Sequence, residues 1–173
     1  RSAIKKGFID WLKTDPADVI CVQETKAVQG DVDLKALEAL GFHHYWFSAQ
    51  KKGYSGVAIF SKIKADKVEY GCGFPGTDDE GRVVQVDFGD IRVINAYFPN
   101  GGRDHTRVPF TMQYKADFLV YCNRLRGDGR SVVFCGDVNT SHQPIDLARP
   151  RQNQNTTGFL PQERAWIDEV VAQ

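Results

Sequence analysis

The strongest indication of the fold is the stretch of residues 19–26, which has the sequence VICVQETK. The run Val19-Ile20-Cys21-Val22 is short, apolar and rich in β-branched residues, which is typical of a strand buried on both faces. Polar residues begin directly after it, and the first acidic one is Glu24. The sequence therefore predicts a central strand that carries a carboxylate to the rim of a sheet.

A second stretch of the same kind runs over residues 132–139, VVFCGDVN. Residues two apart on an extended chain point to the same side, so Asp137 and Asn139 could both reach one water molecule or one phosphate. An aspartate there could accept the proton of the water. An Asx turn after the strand explains the same pair equally well, because both residue types favour turns.

The rest of the chain supplies helices and a run of strands between these two stretches. The Gly89-Asp90 dipeptide suits a tight hairpin, so the middle of the chain is predicted to be antiparallel sheet. Together these elements predict a single α/β layered domain over residues 1–173. Hydrophobic periodicity predicts helices over residues 2–13, 34–40, 114–125 and from Pro161 onward, and strands over residues 44–48, 57–61, 82–88 and 91–98.

Composition excludes several classes of protein. Hydrophobic residues make up 42% of the 173 residues and charged residues 25%, which argues against a disordered or collagen-like chain. No apolar run approaches ~18 residues, so no membrane span is predicted. The 22 Lys and Arg residues balance 22 Asp and Glu residues, which excludes a polycationic coat but not a local basic groove. Basic residues that could line such a groove are Lys5, Lys6, Lys51, Lys52, Arg103, Arg107, Arg149 and Arg151.

The four cysteines are scattered and lack zinc-finger spacing. Cys21 and Cys135 lie in apolar runs, where a small buried thiol is expected. Free thiols of this kind predict a reducing, intracellular compartment.

Two further features suit phosphate chemistry. Glu24 could hold a hard divalent cation such as Mg²⁺, although a surface ion pair with Lys26 is the simpler alternative. Residues 97–103, YFPNGGR, offer a phenol, an amide, exposed backbone N–H groups and a guanidinium, all of which can donate to phosphate oxygens. The same segment could also be an ordinary loop with an interface tyrosine. His142 is expected to be a surface residue, since no second ligand stands at zinc spacing.

Five segments in this order resemble the exonuclease III family of abasic-site (AP) endonucleases, within the endonuclease/exonuclease/phosphatase superfamily. The first and last segments are specific to the AP-endonuclease branch, whereas phosphatase and deadenylase relatives share chiefly the Glu and the Asp-x-Asn. The segments are residues 17–26 (ADVICVQETK), 53–58 (GYSGVA), 95–101 (NAYFPNG), 136–139 (GDVN) and 158–164 (GFLPQER).

The resemblance implies a deoxyribonuclease-I-like layered α/β sandwich, with mostly antiparallel or mixed sheets flanked by helices. It implies that Glu24 binds Mg²⁺, for which Mn²⁺ could substitute, that Asp137 activates the attacking water, and that Asn139 positions it. Tyr97 is implied to contact the phosphate. The implied contacts to DNA are Asn100, Asn153, Arg103, Tyr54, Lys6 and Arg1.

The activity implied is Mg²⁺-dependent cleavage of double-stranded DNA on the 5′ side of abasic sites, by an intracellular monomer in the cytoplasm, nucleoid or nucleus. A 3′-to-5′ exonuclease or 3′-phosphatase activity is implied as well. The family places an Asn before the position of Arg1, and an Asp and an Asp-His pair after Gln173, so the chain is expected to be part of the catalytic domain and feeble alone. Rival interpretations are a superfamily phosphatase, an RNA-directed nuclease, or a DNA-binding module without catalysis.

Overall fold

The computed structural model describes residues 6–74 and 76–173, which form two compact units. The first unit contains the described residues up to Tyr97 together with Arg126–Gly136, and the second contains Phe98–Leu125 with Asp137–Gln173. Arg1, one of the predicted DNA contacts, lies outside the described residues.

Within the described residues, five consecutive strands stand between the second and the third α-helix. The helices are α1 (Phe8–Thr14), α2 (Lys35–Ala39), α3 (Val108–Arg126) and α4 (Pro161–Val171). The strands are β1 (Val19–Gln23), β2 (His43–Phe47), β3 (Val57–Ser61), β4 (Lys67–Tyr70), β5 (Val83–Phe88), β6 (Ile91–Tyr97) and β7 (Ser131–Asp137).

The first unit contains two sheets, ordered β1-β3-β2 and β4-β5-β6-β7. The pairs β1/β3, β2/β3, β4/β5 and β5/β6 are antiparallel, and the β5–β6 hairpin turns at the predicted Gly89-Asp90. Strand β7 lies beside β6. Hydrogen bonds from Ser131 N to Asp90 O (2.9 Å) and from Phe98 N to Asp137 O (2.9 Å) join the like ends of the two strands, so the pair is parallel. The long helix α3 separates β6 from β7 in the sequence, as a parallel pairing requires. A mixed sheet is therefore built from local hairpins and one helical crossover.

Apolar side chains from the two sheets pack face to face in the first unit. Val57 and Ile59 of β3 meet Val84 and Val86 of β5, with Tyr97 at the end of β6. Alternate residues of each strand point to this interface, because side chains alternate between the faces of a sheet.

The other face of the β1-β3-β2 sheet is covered by the two short helices. Leu12 of α1 and Leu37 of α2 pack against Ile20, Phe42 and Phe60. The two helices thus cover one face of β1, the strand that ends just before Glu24.

The second unit is organised around an aromatic cluster. The ring of Phe98 lies 4.9 Å from those of Tyr114 and Phe118 on α3 and 5.2 Å from that of Trp166 on α4. These edge-to-face and tilted contacts join the two helices to the segment that follows β6.

The expectation that β1 and β7 are central, fully buried strands is wrong. Each has a hydrogen-bonded neighbour on one side only within the described residues. Ile20 is the only fully buried residue of β1, and the side chain of Val133 in β7 is 51% exposed. The strand that is buried throughout is β3. A run of β-branched residues is compatible with either position, because the pattern reports apolar character and not the number of neighbours.

Three other sequence predictions need correction. Helix α1 spans Phe8–Thr14, after Gly7 in a left-handed conformation (φ 93°), whereas a helix over residues 2–13 was predicted, of which residues 2–5 lie outside the described residues. The strand β4 was not predicted, since Lys67 and Glu69 interrupt its apolar character. Cys135 is exposed and Cys21 is only partly buried, against the expectation that both are buried thiols.

Within the described residues, no helix combines the length and the apolar character needed to span a membrane.

Candidate active site

Glu24 lies in an exposed turn directly after β1. Its carboxylate is 51% exposed and accepts a hydrogen bond from Lys26 Nζ at 2.9 Å. This is the ion pair that the sequence offered as the simpler alternative. Exposed pairs of this kind contribute little to stability, so a bound cation could displace the lysine at small cost.

The backbone of this turn is held in an unusual conformation. Glu24 has φ 54° and Lys26 φ 48°, in the left-handed region that costs most residues about 1–2 kcal/mol. Hydrogen bonds from Thr25 N to Gly56 O (3.1 Å) and from Lys26 N to Ser55 O (2.8 Å) fix the turn against a neighbouring loop. Strain of this kind is often found at functional sites.

Asn95 anchors the strand that leads to Glu24. This fully buried residue of β6 donates from Nδ2 to Val22 O (3.0 Å) and Ala58 O (2.9 Å), and its Oδ1 accepts from Gln23 Nε2 (2.7 Å). A single amide therefore joins β6 to the last residues of β1. The signal that could have found it is a lone polar residue inside an apolar strand.

A buried arginine, Arg82, donates hydrogen bonds to two of the predicted DNA-contacting residues, Tyr54 and Tyr97. Arg82 donates from Nη1 to the carbonyl of Tyr97 (2.9 Å) and from Nη2 to Tyr54 Oη (3.1 Å), and its Nε pairs with Glu80 Oε2 (2.6 Å). Its guanidinium also lies 4.9 Å from the centre of the Tyr97 ring. Sequence reasoning did not identify Arg82, because two of its partners, Tyr54 and Tyr97, are distant in sequence.

Glu24, Lys26 and Tyr97 interact electrostatically. The hydrogen bond and the charge of Glu24 raise the pKa of Lys26 above its ordinary value, and the phenol of Tyr97 contributes in the same direction. Tyr97 itself is largely buried. The first unit therefore brings together three groups that can contact an anion or a cation.

Asp137 and Asn139 form an Asx turn in the second unit. Asn139 N donates to Asp137 Oδ1 at 2.9 Å, and Asn139 has φ 49°. The chain is therefore not extended here, which corrects the prediction that the two side chains align through strand geometry. Asn139 Nδ2 donates to Phe98 O (2.7 Å), and Phe98 N donates to Asp137 O (2.9 Å). Asp137 remains exposed while its backbone is fixed.

The other predicted contacts of this unit lie in two loops. Asn100 Oδ1 accepts from Gly102 N (3.2 Å), and Arg103 follows as an exposed residue. Asn153 donates from Nδ2 to Arg149 O (2.8 Å). These bonds shape each loop locally. In the first unit, Lys6 is exposed beside the start of α1.

His142 is partly exposed and lies against an acidic residue that was not predicted. Its Nε2 lies 2.6 Å from Asp168 Oδ1. Residues 6–74 and 76–173 contain no group of three or more His, Cys, Asp or Glu side chains that could hold a metal ion. A zinc-like cage is therefore not present there, whereas Mg²⁺ needs only one or two carboxylates and water, which Glu24 can satisfy.

Residues 5–170 match the Endonuclease/Exonuclease/phosphatase family. The chain belongs to this family. It is 43% identical over 160 residues to an exodeoxyribonuclease of Bacillus subtilis, covering 92% of this chain and 62% of the relative. It is 39% identical to the DNA repair nuclease APEX1 of Danio rerio, covering 99% and 56% respectively. The chain thus spans about 60% of the length of these curated relatives.

Two solved structures of DNA-processing enzymes share the fold. An AP endonuclease from Archaeoglobus fulgidus superposes with a TM-score of 0.84 at 27% identity, covering 95% of this chain and 63% of that one. A 3′-5′ exonuclease from Neisseria meningitidis gives 0.85 at 23% identity, covering 99% and 66%. These similarities confirm the predicted deoxyribonuclease-I-like α/β fold and the resemblance to AP endonucleases.

Thiol chemistry in this family member is expected to concentrate at Cys135. A hydrogen bond from Cys21 lowers the pKa of Cys135 to about 7, and burial raises the pKa of Cys122 to about 12. Because the thiolate is the nucleophile, iodoacetamide should modify Cys135 first, with a rate that rises as the pH passes about 7 and then levels.

Peptide mass spectrometry after brief labelling at several pH values measures this order. Cys135→Ser should remove the fast phase, whereas Cys122→Ser should leave it unchanged. Preferential labelling of Cys122 would contradict the assignment.

Proposed function

We propose that this protein is a Mg²⁺-dependent phosphodiesterase that cuts double-stranded DNA on the 5′ side of abasic sites in base-excision repair, with 3′-to-5′ exonuclease or 3′-phosphatase activity at the same site. The observation that carries the proposal is the pair of exposed, backbone-fixed carboxylates, Glu24 and Asp137, in a chain related to AP endonucleases. We further propose that residues 1–173 belong to a single domain of this family and that the protein acts as an intracellular monomer.

Asp137 is the proposed general base. Its exposed carboxylate can accept the proton of a water molecule as that water attacks phosphorus in line with the leaving 3′ oxygen. The Asx turn supports this role, because it fixes the carboxylate without covering it. Asn139 has its amide nitrogen committed to Phe98 O, so its amide oxygen is the atom proposed to accept a hydrogen bond from the same water.

Glu24 is the proposed metal ligand, and Tyr97 the proposed donor to a phosphate oxygen. Bound Mg²⁺, or Mn²⁺ in its place, would supply positive charge against the phosphate. Tyr54, Asn100, Arg103 and Asn153, with Lys6 and Arg1, are proposed to contact the DNA. A backbone without a base is easily extruded from the duplex, which would give selectivity for the lesion.

Cleavage of three substrates by the full-length protein tests the proposal. Duplex DNA with one abasic site should be cut 5′ of the lesion in the presence of Mg²⁺ and not in the presence of EDTA. Intact duplex DNA and a phosphorylated small molecule should react slowly. Preference for the small molecule or for RNA would contradict the repair assignment, and salt-sensitive DNA binding without cleavage would identify a binding module.

Glu24→Gln tests the metal role. Loss of the carboxylate charge should raise the Mg²⁺ concentration for half-maximal cleavage by about 10-fold or more, a typical penalty for disturbing a metal site. Glu169→Gln, which neutralises an exposed carboxylate on α4, is the matched control and should leave the Mg²⁺ titration unchanged. An unchanged titration in Glu24→Gln would remove the residue from the proposed site.

A further inference from the structure

A lysine is fully buried inside the second unit. Lys115 on α3 has no exposed surface, and within the described part of the chain no carboxylate forms an ion pair with it. Its Nζ donates to Thr140 Oγ1 at 2.6 Å. Burial lowers the pKa of Lys115 to about 8, against the opposing charge of Glu163. A buried charge with one hydroxyl partner is costly to retain.

The surroundings of Lys115 explain how the cation is tolerated but not why it is there. Its ammonium lies 4.5 Å from the Trp166 ring and 5.7 Å from the Phe98 ring, and aromatic faces attract cations. The carboxylate whose charge acts on Lys115 is that of Glu163. It accepts hydrogen bonds from Gly158 N (2.7 Å) and Leu160 N (3.0 Å), and not from Lys115. A methionine could fill the same space without the cost of desolvating a charge.

The hydroxyl that Lys115 holds belongs to the residue directly after Asn139. The turn over residues 137–140 is therefore restrained at three residues, by Phe98 at Asp137 and Asn139 and by Lys115 at Thr140. Asn139 itself has a left-handed conformation. Without a fixed Thr140, the turn could relax and move both polar side chains.

We infer that Lys115 is a positioning residue, which acts through Thr140 to hold Asp137 and Asn139 in the geometry needed to activate water. This inference rests on the proposed phosphodiesterase function. On this inference, Lys115 affects the rate of the chemical step and does not affect the binding of DNA.

Three variants of the full-length protein test this role: Lys115→Met, Thr140→Val and the double variant. Each single variant should lower kcat for abasic DNA by about 10-fold or more while KM changes by less than about 2-fold, because only the transition state needs the aligned turn. The double variant should be no slower than Lys115→Met, because each substitution removes the same hydrogen bond, the one between Lys115 Nζ and Thr140 Oγ1. Thr140→Ser retains a hydroxyl and should restore most of the rate. Lys64→Met, at an exposed lysine, is the control.

Two measurements keep the inference independent of activity. Amide exchange at residues 137–141 should accelerate in Lys115→Met. The stability of the unsubstituted protein relative to that of Lys115→Met should rise from pH 8 to pH 10.5, because the unfolded lysine still binds a proton there and the folded one does not.

The possible results distinguish a failure of the positioning role of Lys115 from a failure of the proposed phosphodiesterase function. Normal kcat and normal exchange in a folded Lys115→Met protein would overturn the inference, even if the unsubstituted protein cleaves abasic DNA as proposed. Absence of cleavage by the unsubstituted protein would overturn the proposed function, and the exchange data would still decide whether Lys115 holds the turn.

Discussion

Asp137→Asn is expected to lower kcat for abasic-DNA cleavage by about 10³-fold, within the range for loss of a general base, while affinity for the DNA changes little. An asparagine cannot accept the proton of the attacking water. It can still accept the hydrogen bond from Asn139 N through its amide oxygen, so the Asx turn should survive. Single-turnover cleavage and DNA binding, both measured on the full-length protein, give the two quantities separately.

Asp146→Asn is the matched control. Asp146 also accepts backbone hydrogen bonds, from His142 N (3.0 Å) and Gln143 N (2.8 Å), but has no proposed chemical role. It should cleave at the normal rate. If Asp137→Asn also turned over normally, the assignment of Asp137 as the base would be wrong.

Gly136→Ala is expected to cause a large loss of stability. Gly136 has φ 145°, and a Cβ built on it would overlap the carbonyl oxygen of Ala96 on the neighbouring strand β6. Backbone cannot move aside cheaply, so the cost should be about 3 kcal/mol or more, near the upper end for overpacking. For a chain of this size that corresponds to a fall in Tm of about 10 °C.

Thermal unfolding followed by circular dichroism measures this effect. Gly30→Ala is the control, because Gly30 has no positive φ and a Cβ there would meet no atom within 4 Å. Its Tm should change little. An unchanged Tm in Gly136→Ala would show that β6 and β7 do not approach as closely as described.

Local sequence patterns were enough to find most of the secondary structure. The strand over Val57–Ser61 was predicted with its observed bounds, and the Gly89-Asp90 hairpin was also identified. The candidate residues Glu24 and Asp137 were found because each follows an apolar run. Patterns of this kind depend only on neighbours in the chain, which is why a single sequence is sufficient to see them.

What the sequence could not supply depends on contacts between distant residues. The positions of β1 and β7 at the edges of the sheets formed by the described residues follow from the order of the strands, which no local pattern encodes. Asn95, Arg82 and Lys115 were likewise missed, because each has at least one hydrogen-bond partner 15 or more residues away. Buried polar residues of this type are recognised by what they bind, and not by where they stand in a pattern.

Glu24 and Asn139 both have a left-handed backbone conformation, which lowers the stability of the fold. Both side chains nevertheless have roles in the proposed reaction. Glycine would relax both positions, since it has no Cβ to clash, yet it would delete a carboxylate and an amide that the proposed reaction needs. Selection for heat resistance alone would therefore favour glycine at these two positions, and the resulting variants would be more stable but would lack groups that the proposed reaction uses.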